Sequence, residues 1–212
     1  MSNNVHTKRF LCLFLSILMI SIVPITALAE GTDSNKPAYG ILTSEDGKQF
    51  LIEGRLCDSL QICAGNEATI TYEYTIPVSA VRATNSSTTV DSPDDGYASH
   101  IYLTLNYQTQ NTPTEYLLTG VSGHWTVDDP NVAVLSTSLT YGYSGWFPAY
   151  ASQNNTIKNV SNPFSYSTGF SSYILSDGAV MGANLTLDYL MGTSRKWSFT
   201  LVNNLFNNSF SN

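Results

Sequence analysis

Apolar residues recur at every second position along much of this chain, in short runs separated by turn clusters. Ala68–Val78 alternates with Ile70, Tyr72, Tyr74 and Ile76 on one side and Thr71, Glu73 and Thr75 on the other. His100–Gln108 repeats the pattern through Ile101, Leu103, Leu105 and Tyr107. Asn184–Leu190 does so through Leu185, Leu187 and Tyr189, and Lys196–Val202 through Trp197, Phe199 and Leu201. A period of two puts successive side chains on opposite faces of a strand, so each run reads as a half-buried strand. Further strands are expected near Gln49–Glu53, Glu115–Val121, Asn131–Tyr143 and Phe170–Leu175. Asn111–Thr114 and Gly192–Arg195 read as hairpin turns, and Pro77 as a strand end or edge.

Nowhere does an i, i+3, i+4, i+7 pattern persist for three turns; the one expected helical feature is a single turn around Arg55–Ile62. About seven to nine short strands with turn clusters between them predict an all-β chain, an antiparallel β-sandwich with a barrel as the alternative. The domain is expected over 49–212, with its core between about 67 and 207. Ile70, Tyr72, Tyr74, Ile101, Leu103, Leu105, Leu187, Trp197 and Phe199 are expected inside. The stretch 142–168 reads as the longest irregular segment, and long loops in compact domains are usually functional or disordered.

The first residues follow a different pattern. Lys8 and Arg9 precede an unbroken apolar run from Phe10 to Val23, Pro24 breaks it, and Ala27-Leu28-Ala29 supplies the small residues of a cleavage site. That is the layout of a secretory signal peptide over residues 1–29. The run of about 14 residues falls short of the roughly 20 that a membrane span needs. No cysteine follows the small residues, as a lipoprotein signal would require. The expected product is a secreted, extracellular chain without a stable membrane anchor, cleaved after Ala29 and beginning at Glu30. Residues 30–48 are polar and turn-rich and are expected to form a flexible arm.

Composition narrows the function classes. Only 12% of residues are charged, against about 25% in ordinary domains. Ser, Thr and Asn, at 26, 23 and 18 residues, fill the gap. With 42% hydrophobic residues the chain is not of the charge-rich disordered class, nor of the coiled-coil class. The net charge of −7, which becomes −9 once the signal is removed, speaks against a nucleic-acid partner, because displacing counterions needs clustered Lys and Arg. The acidity is concentrated before residue 130.

Two cysteines remain after the expected cleavage, Cys57 and Cys63. An even count in an exported chain predicts a disulfide between them. Bridging six positions needs the intervening segment to fold back, because the Cα atoms must come within about 7 Å.

Candidate chemistry is sparse. His100 and His124 are the histidines of the mature chain, and no Gly-x-Ser-x-Gly elbow accompanies them, so a nucleophile triad is not expected. Glu67, Glu73 and Glu115 are candidates for a glycosidase carboxylate pair, though each reads equally as a solvated acid. Asp91, Asp94 and Asp95 gather three carboxylates in one loop and make calcium the only cofactor considered, although Asp94-Asp95-Gly96 is also an ordinary turn sequence. Trp146, Phe147, Tyr150 and Tyr166 lie in or beside the long irregular segment and could form an aromatic platform for a sugar ring, or simply pack. Ser99–Tyr107 and Ala183–Tyr189 alternate apolar residues with Ser and Thr, as membrane-inserting hairpins do. Five Asn-x-Ser/Thr sequons begin at Asn85, Asn154, Asn159, Asn184 and Asn207. No phosphate loop or redox Cys-x-x-Cys occurs. The expectation is a non-catalytic exported β-domain that binds an extracellular ligand, a glycan or a surface protein. A carbohydrate-binding module using loop aromatics is one alternative, and a membrane-active, pore-forming or bacteriocin-like protein is the other.

Overall fold

The computed structural model describes residues 38–63, 66–82, 96–111, 114–145 and 150–206. They form two antiparallel sheets packed face to face as a β-sandwich, with no closed barrel. The chain runs through β1 (Ala38–Ser44), β2 (Gln49–Glu53), β3 (Arg55–Cys63) and β4 (Glu67–Pro77), then a short helix α1 (Val78–Arg82). Long strands β5 (Tyr97–Gln110), β6 (Glu115–Val127) and β7 (Val132–Gly145) follow. The rest comprises β8 (Ala151–Lys158), β9 (Phe164–Ser167), β10 (Ile174–Leu175), β11 (Val180–Met191) and β12 (Arg195–Asn204).

Sheet A has the order β2-β1-β12-β11-β7-β8. Sheet B has the order β10-β6-β5-β4-β3, with β9 also pairing along the far edge of β6. The turn clusters make β5–β6 and β11–β12 hairpins, with Gln110 opposite Glu115 and Met191 opposite Arg195.

The alternating runs supply the core. Ile101, Leu103 and Leu105 of β5 face Leu185, Leu187, Phe199 and Leu201 of the opposite sheet, all with no accessible surface. Tyr72, Tyr74 and Trp197 are buried with them, while Ile70 is only half-buried against the cluster. Burying side chains of this size is the main favourable term in folding, at ~1.5–3 kcal/mol each. Polar tips inside the core are satisfied between the sheets: the Tyr74 hydroxyl donates to the Val202 carbonyl at 3.2 Å, and the Ser99 and Tyr189 hydroxyls meet at 3.2 Å. Burial pushes the Tyr74 and Tyr189 phenols well above their ordinary range, so both remain neutral.

Four expectations need correction. Residues 38–48 are not an arm: β1 lies inside sheet A between β2 and β12, and Leu42 is fully buried. Its inward face carries Ala38, Gly40, Leu42 and Ser44, three of them small, because the Phe199 ring occupies the space beside it. A Cβ on Gly40 would collide with the Phe199 ring. Second, Arg55–Ile62 is not a helical turn but the edge strand β3, whose backbone hydrogen bonds go to β4. Third, no disulfide is seen among the described residues. Cys63 pairs in register with Glu67, whereas Cys57 lies level with the Thr71–Tyr72 step of β4. The two cysteines are therefore about 15 Å apart along an extended strand, which no disulfide spans. Fourth, 142–168 is not one irregular stretch, since β7 continues to Gly145 and β8 and β9 follow.

Candidate functional site

The outer face of sheet B carries the densest group of chemistry-bearing side chains among the described residues. It is built by register. Arg55 pairs with Glu73, Glu73 with Tyr102, and Tyr102 with His124, so one residue from each of β3, β4, β5 and β6 stands in a single row across the sheet. The neighbouring row holds Thr75, His100 and Thr126. Directly opposed residues on one face have Cβ atoms about 5 Å apart, close enough for these side chains to meet.

Glu73 is the centre. Although it points outward, it is only 5% exposed, because its neighbours close over it. The Arg55 guanidinium donates to Oε2 through Nε at 2.9 Å and also through Nη2. The Tyr102 hydroxyl donates to Oε1 at 2.7 Å. His100 Nδ1 lies 3.1 Å from the same oxygen, and the Cys57 thiol lies 3.9 Å from Oε2. The Arg55 hydrogen bonds, reinforced by Tyr102 and His100, outweigh burial and hold the carboxyl down at about 2. In turn, donation to Glu73 raises the Tyr102 phenol and the Arg55 guanidinium. At neutral pH the group is an ionised acceptor with both oxygens occupied, which fits an anchor better than a proton acceptor.

Around this anchor the other groups are oriented. His100 Nε2 lies 3.4 Å from Asp128 Oδ2, so the imidazole bridges two carboxylates. The Tyr97 ring meets the His100 ring edge-on at 5.0 Å, and Tyr97 itself is 52% exposed. Tyr102 and His124 stack at 4.5 Å and 13°. Beside the row an open cleft of about 620 Å³ is lined by Leu51, Arg55, Glu73, Thr75, Tyr97 and His100. The face continues in hydroxyls, with the Thr71 and Thr104 side chains bonded at 2.8 Å.

The carboxylates considered from sequence are not brought together. Glu67 takes a hydrogen bond from Gln108 at 3.0 Å, and Glu115 is held by Gln110 and Asn111 at 2.9 and 3.0 Å. Of the aromatic platform, Trp146 and Phe147 lie outside the described residues, as do Asp91, Asp94 and Asp95. Tyr150 is exposed. Tyr166 belongs to β9 of sheet B and stacks on Phe164 at 5.9 Å. Tyr166 thus lies in sheet B, whereas Tyr150 stands just before β8 of sheet A. Among the described residues no three His, Cys, Asp or Glu side chains converge in a metal-binding arrangement.

The sequence offered Glu73, His100 and His124 singly and did not join them. The available signal was parity: each occupies an outward position of its strand. Register decides which outward residues meet, and the 78–96 connection between β4 and β5 is too long to set that register by turn geometry. A scan of protein-family models, a search of curated proteins and a search of solved structures each find no match to this chain.

Proposed function

We propose that this chain is an exported, non-catalytic binding protein, and that the outer face of sheet B is its ligand surface. The observation that carries the reading is the outward-facing Glu73, nearly fully buried and held by side chains from the strands on either side of it, β3 and β5. Solubility needs no such construction; a solvated carboxylate suffices. Its effect is to fix Arg55, His100 and Tyr102 in one arrangement before a ligand arrives, which lowers the ordering cost of binding. Export rests on residues 8–29 of the sequence.

A glycan is the ligand class that the surface favours. The Tyr102–His124 stack and Tyr97 supply aromatic surface, and Thr71, Thr104 and Ser122 supply hydroxyls in the same face. Charged groups are few and already partnered around Glu73, so a neutral, hydroxyl-rich ligand meets complementary chemistry.

The test is a glycan array with the purified protein, followed by affinity measurement on its best ligand. Arg55→Ala and His124→Ala should each weaken binding about tenfold or more, as losses of about 1.4 kcal/mol would, with the far-UV circular dichroism unchanged. Binding that survives both changes in folded protein overturns the proposed surface. Dye release from liposomes in place of glycan binding supports the membrane-active alternative.

A further inference from the structure

We propose that β8 is a self-pairing edge, through which two copies of this chain join into one continuous sheet. The four sheet edges differ. In sheet B, β3 carries two register shifts, which distort an edge, and the other edge is split between the four-residue β9 and the two-residue β10. In sheet A, β2 has five residues. The eight-residue β8 pairs with β7 without a bulge from Lys158 through Ala151. Ser152, Gln153, Asn154, Asn155 and Thr156 are all exposed. Lys158 is its only charge. Proteins ordinarily protect long, straight edges with charges, prolines or bulges, and β8 has a single terminal lysine.

The backbone fixes which groups are offered. The Asn159 N–H donates to the Thr137 carbonyl at 2.8 Å. By alternation, Ile157, Asn155 and Gln153 direct their backbone groups to β7, and Ser152, Asn154, Thr156 and Lys158 direct theirs to the open edge. An antiparallel copy centred on Asn155 puts Ser152 opposite Lys158 and Asn154 opposite Thr156. All four outward residues then pair in each copy. The register is self-complementary, as a two-fold contact requires. The two lysines end about 20 Å apart, each facing a serine, so no like charges oppose. These features favour a second copy over a foreign strand.

The two-fold axis relating antiparallel neighbours is normal to their sheet. Both outer faces of sheet B therefore point the same way, and the dimer presents two copies of the Glu73 surface to one repetitive target, where avidity adds to affinity. Pairing itself does not depend on that surface being the ligand site.

Sedimentation velocity across the micromolar range tests the pairing. The purified protein should show a concentration-dependent dimer. Asn154→Pro removes an outward N–H and leaves the β7 ladder intact, and it should shift the protein to monomer with its circular dichroism unchanged. The N154K/T156K pair sets lysines opposite each other across the interface and should weaken dimerisation at least tenfold, with recovery in high salt. If the proline variant fails to fold, the lysine variant decides. A wild-type monomer at every concentration overturns the proposal, as does a dimer that persists in the folded variants. Recruitment of only a foreign peptide strand overturns it too.

Discussion

Glu73 shows how one side chain changes meaning when its neighbours are known. On its own strand it is the acidic member of a Thr-Glu-Thr face, which reads as solvated. The sheet places Arg55, Tyr102 and His100 around it and takes it out of water. The carboxylate is held at about 2, against ~4.3 in an unfolded chain. A depressed folded-state value adds stability that is fully present above the unfolded value and lost as pH falls through the folded one. Glu73→Gln should therefore destabilise the domain by ~1–3 kcal/mol at pH 7, the scale for a hydrogen-bonded charge that loses its partners. The gap between variant and wild type should narrow as pH drops from about 4.5 towards 2. Urea unfolding of both proteins across that range checks it; a gap that stays constant would show that ionisation of Glu73 contributes nothing.

Elements were legible where one face meets the core and the other meets water. β5, β11 and β12 satisfy this along most of their length, and so their alternation could be read directly. β1 fails it because Phe199 fills the space where larger inward residues would stand, leaving small residues on that face. β8 fails it for another reason: from Ser152 to Thr156 it is exposed on both faces. Its two central inward residues are amides, with Asn155 donating to the Tyr141 hydroxyl and Gln153 accepting from Tyr143, and only Ala151 and Ile157 at its ends pack against the core. β3 is an irregular edge strand, and its pairing with β4 overrides the local pattern that resembled a helical turn. The candidate site shares the difficulty, since its residues come from four strands and meet only through register. The crossover from β8 to β9 is held by a device equally hidden in the sequence. The Asn162 side chain accepts from the Trp125 N–H at 3.1 Å and donates to the Trp125 carbonyl at 2.8 Å, standing in for a strand partner at the end of β6. Asn162→Ala should cost ~1–2 kcal/mol through the two lost bonds. It should also speed hydrogen exchange at the Trp125 amide more than at Val121, which pairs with β9. Equal protection of Trp125 in both proteins would contradict this role.

At the scale of the whole molecule, the two sheets are assembled differently. β3 to β6 follow one another in the chain and lie side by side in sheet B, so the row from Arg55 to His124 comes from one contiguous stretch. Sheet A is closed by distant segments: β1 lies against β12, with Ala38 paired to Asn203. β12 also pairs with β11 and places Trp197, Phe199 and Leu201 in the core. Removing it strips a partner from both β1 and β11 and uncovers the inner face of sheet B. The Tyr74 hydroxyl loses its acceptor at Val202 as well. Losing three large buried side chains, at ~3–5 kcal/mol each for the aromatics and ~2–5 for leucine, is already as large as the ~5–15 kcal/mol that holds an ordinary domain together, before the lost strand pairing is counted. A chain ending at Met191 should therefore lack cooperative thermal unfolding, and should lose the Glu73 surface although every residue of that surface is still present. Near-UV circular dichroism and calorimetry of the truncated chain provide the measurement. Persistence of a cooperative transition, with the Tyr102–His124 stack still visible as ring-current-shifted histidine resonances, would show that sheet B folds on its own meander without its cover.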